Sequence, residues 1–351
     1  MISRRTVITG VPVLLAGLAR GANEAGEFIY DSAPFPSCHA STVVELANGD
    51  LLSAWFGGTD EGKPDVAIWA SRRSGGKWSE PVEMVRERET PCWNPVLFYA
   101  PFGPAKTGRL WLYYKFGTSP SQWTAGRKYS DDDGKSWSAV EHLPAGIYGP
   151  IRAKPLVLED GTIVSGSSVE SYRSWAVWLE RSTDGGKTFS RIGPIGVPGA
   201  GGGVDNGKST SGLIQPSVVS MGGKKLRLYA RATQDIGRVC VADSLDAGLT
   251  WTQARPLDVL NPNSGIDAVA LRDGRVVLVY NNTARGRSPL NLAVSRDGEK
   301  FTMFRTLEDA AGGEFSYPNV IQGRDGDLHV AYTWRRKKIK YVRVALGDVP
   351  K

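Results

Sequence analysis

The sequence predicts an all-β chain, a six-bladed β-propeller of four-stranded antiparallel blades, and two internal repeats together with the composition carry that reading. The first repeat is SDDDGKSW at 130–137, which returns as STDGGKTF at 182–189, SLDAGLTW at 244–251 and SRDGEKF at 295–301. A version without the aspartate, SRRSGGKW, stands at 71–78. The first residues of these segments lie 59, 52, 62 and 51 positions apart, the period of a four-stranded blade rather than of a helical solenoid repeat. The second repeat is a Gly-containing pair between two β-rich runs: Asn48-Gly49, Thr107-Gly108, Asp160-Gly161, Gly222-Gly223, Asp273-Gly274 and Asp325-Gly326. The 42 glycines, 21 prolines and 11 tryptophans suit many short strands and turns, and 351 residues at 41% hydrophobic content suffice for one large core.

The chain begins with a segment that does not belong to the fold. Ser3-Arg4-Arg5 precedes the apolar run 7–18, and Ala19, Ala22 and Ala25 offer small residues for cleavage. The run is too short to span a membrane. Residues 1–25 therefore read as an export signal that resembles the twin-arginine type without its usual Phe-Leu, an ordinary secretory signal being the alternative, and the mature protein reads as periplasmic or extracellular.

Residues 26–346 then form one propeller. In each unit the Gly-containing pair turns the first hairpin, as between STVVEL and LLSAWF or between AVAL and VVLVY. In five units the Asp- or Ser-rich repeat turns the second. Asp or Ser bonds neighbouring backbone there, Gly supplies positive φ, and the closing Trp or Phe packs beneath. The last unit, from 318–321, Leu328–Trp334 and 339–344, is completed by an N-terminal strand around 28–31, which closes the ring and removes its edges. Residues 199–212, GAGGGVDNGKSTSG in the third-to-fourth connection, read as a loop near the rim or over the mouth.

Charge and ligand chemistry exclude several classes. The formal charge of +7 is inflated by Arg4, Arg5 and Arg20, and the remaining cations are interspersed with acids, which argues against nucleic acid as a partner. Three cysteines are too few for a disulfide scaffold; Cys38 and Cys92 stand near one another in the predicted ring, with a disulfide and two reduced thiols equally open. Three histidines without metal-ligand spacing leave no metal site and no cofactor to expect. A monomer is expected.

Blade geometry narrows the search for chemistry to the starts of first strands and the ends of second strands, which share one face. The starts carry His39, Trp93, Asn94, Arg152, Lys154, Gln215, Asn263, Asp267 and Tyr317. The ends and their loops carry Thr59 to Asp65, Lys115, Glu170, Arg231, Asn281, Asn282, Arg287 and Arg335. Arg152, Lys154, Arg231 and Arg287 would form a cationic cup suited to a carboxylate, so an acidic glycan is the expected partner. His39, beside the axis, is expected in binding or proton transfer, whereas His142 and His329 fall on an outer segment and within a strand. Trp93, Trp123 and Trp175 are candidates to stack on sugar rings.

The repeated turns resemble the Asp-box (BNR) repeat of the sialidase superfamily. PSCHAST, CWNPVLF, GPIRAKP, EFSYPNVIQ and YTWRRKKIKY resemble a bacterial and plant group described as predicted neuraminidases, from about Phe35 to Val344. The resemblance implies a sialidase-like propeller whose Asp boxes lie away from the active site. It implies that Arg231 and Arg287 match two of three carboxylate-binding arginines, that Tyr317 resembles the nucleophile and that Asp60 matches the acid, Asp65 being a strand cap. Two departures stand out. His39-Ala40-Ser41 replaces an Arg-Ile-Pro opening, and Gln215-Pro216 replaces the glutamate that assists the tyrosine, leaving Glu170 and Glu314 as the neighbouring carboxylates. An unassisted phenol titrates near 10. The resemblance thus implies an exported exo-glycosidase removing a terminal acidic sugar, with a uronate lyase using His39 and Tyr317, or a non-catalytic glycan-binding propeller, as alternatives.

Overall fold

The computed structural model describes residues 26–102, 107–171, 174–199 and 211–351. The expected export segment 1–25 and most of the glycine-rich loop lie outside the described residues. The chain is all-β and the meanders are antiparallel, and among the described residues hydrogen bonding joins the strands into five sheets. No described helix is long and apolar enough to cross a membrane.

Each predicted hairpin forms, although Thr107 and Gly108 open the second strand of theirs, paired with Phe102 and Pro101, rather than making its turn. Ser37–Glu45 pairs with Leu51–Gly58, then Ala67–Ser74 and Val82–Val85. Cys92–Phe102, Thr107–Phe116, Thr124–Ser130 and Glu141–His142 follow in one sheet. Leu156–Val157, Ile163–Glu170, Ser174–Ser182 and Ser190–Ile195 make the next meander, and Ser211–Ser220, Leu226–Ala232, Arg238–Ser244 and Arg255–Leu260 another. A short parallel contact, Ser174 with Ser211 and Trp175 with Gly212, fuses these two into an eight-stranded sheet. Asp267–Ala270, Val276–Tyr280, Leu290–Ser295 and Thr302–Glu308 form a four-stranded sheet. In the last sheet Phe315–Gln322, Leu328–Trp334 and Lys338–Val344 are joined by Glu27–Phe28, which pairs Glu27 with Tyr341 and Phe28 with Lys340. The N-terminal strand thus covers the outer edge of the C-terminal sheet, as the sequence predicts.

The apolar core lies between successive meanders. Phe56 and Ile68 pack with Leu97 and Leu112, and Phe98 and Trp111 with Ile163. Val164 and Leu179 pack with Leu228, Tyr229 and Val241 with Leu278, and Val279 and Leu292 with Val330 and Tyr332. Ala331 and Ile339 meet Val43 and Trp55, which brings the series back to its start. A strand covered on both faces reads as an unbroken apolar run rather than an alternation, as Val276–Tyr280 does; Leu51–Gly58 and Leu226–Ala232 are also buried at every position, the latter with Arg227 and Arg231 among its residues. Cys38, Cys92 and Cys240 are free and buried; the Tyr30 hydroxyl donates to Cys38 Sγ at 3.0 Å. Of the two states open to Cys38 and Cys92, the reduced one is found.

Candidate active site

A repeated irregularity aims side chains at one face. Ala40, Asn94, Gln215, Asn263 and Tyr317 all have left-handed φ, between 36° and 62°. In four of these places the pairing register shifts: between His39 and Thr42, Trp93 and Val96, Ile214 and Ser217, and Ser316 and Asn319. Pro95, Pro216 and Pro318 follow three of the left-handed residues. A proline offers no N–H to the ladder, so a bulge is the way a strand accommodates it. The bulge turns Asn94, Gln215 and Tyr317 out of the strand's alternation, and such strained backbone is maintained by the sheet around it.

These residues meet in a cavity of about 200 Å³ lined by Glu61, Trp93, Asn94, Pro120, Trp123, Glu170, Gln215, Arg231, Arg287, Tyr317 and Arg336. Tyr317 Oη is its best-held atom: it accepts hydrogen bonds from Arg231 Nη1 at 2.9 Å and Gln215 Nε2 at 3.2 Å. Gln215 Oε1 in turn accepts from the same Arg231 nitrogen at 3.2 Å, and Arg231 Nε donates to Asn263 Oδ1 at 2.7 Å. The guanidinium carbons of Arg152, Arg287 and Arg231 stand 5.1, 5.5 and 5.8 Å from the centre of the Tyr317 ring. Burial by itself pushes the Tyr317 phenol up, but Arg231 and Arg287 outweigh it, and the phenol lies below its ordinary value of 10.0.

The acids divide into two kinds. Glu170 is partly buried, and burial pushes it up to about 7, against the opposing pull of Arg231 and with a further push from Glu61. It therefore holds a proton for part of the time at neutral pH. Glu314 Oε1 accepts from Arg287 Nη1 and Arg336 Nε, both at 2.8 Å. Burial pushes Glu314 up, and these two arginines more than reverse it, so it stays charged.

Of the candidates from sequence, Trp93, Asn94, Glu170, Gln215, Arg231, Arg287 and Tyr317 line the cavity, whereas His39, Arg152, Lys154, Lys115 and Asp60 do not. His39 lies behind the nucleophile candidate, its ring centre 4.1 Å from that of Tyr317 and its Nδ1 3.0 Å from Thr333 Oγ1. Burial, then Arg336 and the other nearby arginines, hold its imidazole well below 6.5, so it is neutral. Arg152 lies beneath the site: its guanidinium donates to the carbonyls of Ile266 and Pro318, which fixes the backbone just after Tyr317. Lys154 is corrected to a structural cation, bound to Asp267 Oδ2 at 2.9 Å and Ala268 O at 3.0 Å. Lys115 is likewise corrected: fully buried, it donates to Pro150 O at 2.7 Å, and burial pushes it down to about 7. For Lys115 the error comes from strand alternation, since a shift of one residue exchanges the two faces; Lys154 stands in the loop before Leu156–Val157, where no alternation applies. Asp60 is exposed and accepts from the amide of Glu61 at 2.9 Å rather than facing the cavity. Asp65 clamps its own loop through Thr59, as the cap reading has it.

Three cavity residues are not named by sequence reasoning: Pro120, Arg336 and Glu61, the last lying within the loop Thr59 to Asp65 that blade geometry does select. Arg335, the neighbour selected instead, stacks on Trp334 with its Cζ 5.0 Å from the ring. Arg335 and Arg336 both have left-handed φ, 52° and 55°, a turn that a run of four cations does not announce. Among the aromatic candidates Trp123 is in the cavity, while Trp175 faces Arg231 Cζ at 5.8 Å.

Comparison with known proteins adds a lineage to this geometry. The family profile described as BNR repeat-like domain matches residues 49–330. A curated sialidase from Micromonospora viridifaciens is 27% identical over 236 residues, covering 64% of this chain and 35% of that protein. The chain spans about a third of the length of that relative. Among solved structures, the NanB sialidase from Streptococcus pneumoniae matches with a TM-score of 0.72 at 14% identity, covering 93% of this chain and 71% of that one. A protein of unknown function from Dyadobacter fermentans matches at 0.72 and 17% identity, covering 92% and 98%. An intramolecular trans-sialidase from Ruminococcus gnavus matches at 0.70 and 13% identity, covering 94% and 99%. At these identities the likeness to solved structures is one of fold.

Proposed function

Because the chain belongs to the BNR repeat-like domain family, within the sialidase superfamily, we propose that it is a six-bladed propeller glycosidase that removes a terminal acidic sugar from a glycan. The cycle of packed meanders, closed by Glu27–Phe28 on the last sheet, supports the blade count. The observation that carries the activity is the Tyr317 hydroxyl, bound by Arg231 and Gln215 in a cavity that also contains Arg287, Arg336 and a protonatable Glu170.

Arg231 and Arg287 hold the sugar carboxylate, a task suited to the planar guanidinium fork. Glu170 gives its proton to the leaving oxygen as the glycosidic bond breaks, in the role that exposed Asp60 is not turned to fill. Tyr317 attacks as the phenolate, its charge stabilised by Arg231 and Gln215, which replace the usual neighbouring carboxylate, and its Oη bonds to the anomeric carbon as the bond to the leaving oxygen breaks. Water, deprotonated by Glu170, then displaces the tyrosine oxygen, which releases the sugar, returns the proton to Glu170 and regenerates the phenolate. Neutral His39 and Arg152 position the tyrosine from behind and below. Residues 1–25 serve as the export segment, which amino-terminal sequencing of protein recovered from the periplasm or medium would test by a start near residue 26.

A panel of sialosides and uronic-acid glycosides tests the activity. Release of a free acidic sugar, abolished in Tyr317→Phe, is the expected result. No turnover with tight binding would mean a binding module, and new ultraviolet absorbance from an unsaturated product would mean elimination.

A further inference from the structure

The three arginines of the cavity differ in how they are neutralised. Glu314, which accepts from both Arg287 and Arg336, is not part of the cavity wall. It is a fixed counter-ion from behind. Glu61 is different: it lines the cavity itself, and its carboxylate takes Arg336 Nη1 from the front. Among the described residues Arg336 is the one hydrogen-bond partner of that carboxylate. The pair is partly exposed, with 28% of the Arg336 side chain and 32% of the Glu61 side chain accessible. An ion pair so placed is worth little in stability, so exchanging it for another costs little.

Glu61 sits on the loop joining Leu51–Gly58 to Ala67–Ser74, whereas Arg336 sits in the turn before Lys338–Val344. Their carboxylate–guanidinium contact therefore closes across the first and last sheets at the wall of the same cavity that presents Arg231 and Arg287. A sugar carboxylate brought to Arg231 and Arg287 meets a second carboxylate already on the third arginine. Two such charges at close quarters repel.

We propose that Glu61 is a built-in stand-in for the substrate carboxylate, holding Arg336 in the free protein and yielding it when an acidic sugar binds. Arg336 thereby supplies, from the last turn of the fold, the third cation that His39-Ala40-Ser41 lacks in the first strand. The exchange makes the site selective: a neutral sugar offers nothing to displace Glu61, and an acidic one does. This role rests on the cavity being an acidic-sugar site.

Isothermal titration of the full chain with N-acetylneuraminic acid and with glucuronic acid, using N-acetylglucosamine and glucose as neutral controls, tests the exchange. Glu61→Gln keeps the shape of the side chain and removes its charge. It is expected to bind the acidic ligand on the order of tenfold tighter than wild type, with no gain for neutral sugars. Arg336→Ala is expected to bind it roughly ten- to a hundredfold more weakly. The double variant should be no tighter than Arg336→Ala alone, because the charge that Glu61 masks is gone. A merely structural Glu61 would show the opposite sign, weaker binding in Glu61→Gln and in Glu61→Ala. If wild type binds an acidic sugar and Glu61→Gln binds it no tighter, or gains equally for neutral sugars or in the double variant, the exchange is wrong and the acidic-sugar site stands. If neither acidic sugar binds any variant with a native melting transition, both fall.

Discussion

Two faces of the molecule carry carboxylates in opposite states. On the repeated turns, Asp132, Asp184, Asp246 and Asp297 each accept from the serine two residues before, at 2.7 to 2.9 Å, and from backbone amides just after. Despite an opposing effect of burial, Thr188 holds Asp184 down to about 2; the hydroxyl of Thr250 holds Asp246, and the amide of Lys300 holds Asp297, at about 2 as well. In the cavity Glu170 goes the other way, to about 7, because burial removes water and no described donor replaces it. The turns repeat and the cavity does not. A motif that recurs from unit to unit answers a need those units share, which is to close a hairpin; a site needs different groups from different units, and so shows itself as departure from the repeat.

The sharpest contrast comes from one substitution on each face. Tyr317→Phe, which removes the hydroxyl and nothing else, is expected to lower kcat/KM for an acidic glycoside by at least about 10³-fold. Asp184→Ala should leave kcat/KM where it is. Steady-state kinetics of the two variants check this, and equal losses would erase the distinction between the faces.

Glu170→Gln comes next. As general acid, Glu170 must be protonated, so wild-type activity should fall as pH rises through about 7, and the variant should lose about 10²- to 10⁴-fold together with that limb. Its effect on stability has the reverse sign. The folded value lies above the ordinary 4.5, so the folded state binds the proton more tightly, and wild-type stability falls as pH rises from about 4.5 to about 7. The glutamine variant escapes that loss. It should be about 1–3 kcal/mol more stable than wild type at pH 8 and close to it below pH 5, as read by urea unfolding at both values.

The smallest effect belongs to the turns. Asp184→Ala removes acceptors for Ser182, Lys187 and Thr188 and is expected to cost about 1 kcal/mol, seen as a drop of a few degrees or less in Tm. Because the folded value is depressed, this contribution is present above the unfolded value near 3.8 and disappears as pH falls through about 2. Melting curves of wild type and variant should therefore converge in strong acid.

This contrast also explains what the sequence discloses. Hairpins are local chemistry, so Asn48-Gly49 or SDDDGKSW can be read without knowing what packs on them. Asn94, Gln215 and Tyr317 are legible as well, because each stands near the start of its unit's first strand; the bulge at the following proline is what the fold adds. Lys115 misleads because the face a strand end presents depends on register, and Lys154 because its partner, Asp267, lies far along the chain. Arg336 escapes, and Glu61 goes unnamed within its selected loop, because each lies one residue from a plausible candidate and the local torsions decide which side chain faces the cavity. The raised value of Glu170 is invisible for another reason: burial is a property of the assembled fold.

The central claim is that cations and an amide, rather than a neighbouring carboxylate, ready the Tyr317 phenol. An ultraviolet difference titration of wild type against Tyr317→Phe isolates that phenol from the other tyrosines. It should ionise below 10 in wild type and shift upward in Arg231→Ala. Ionisation at or above 10 in both would contradict the claim.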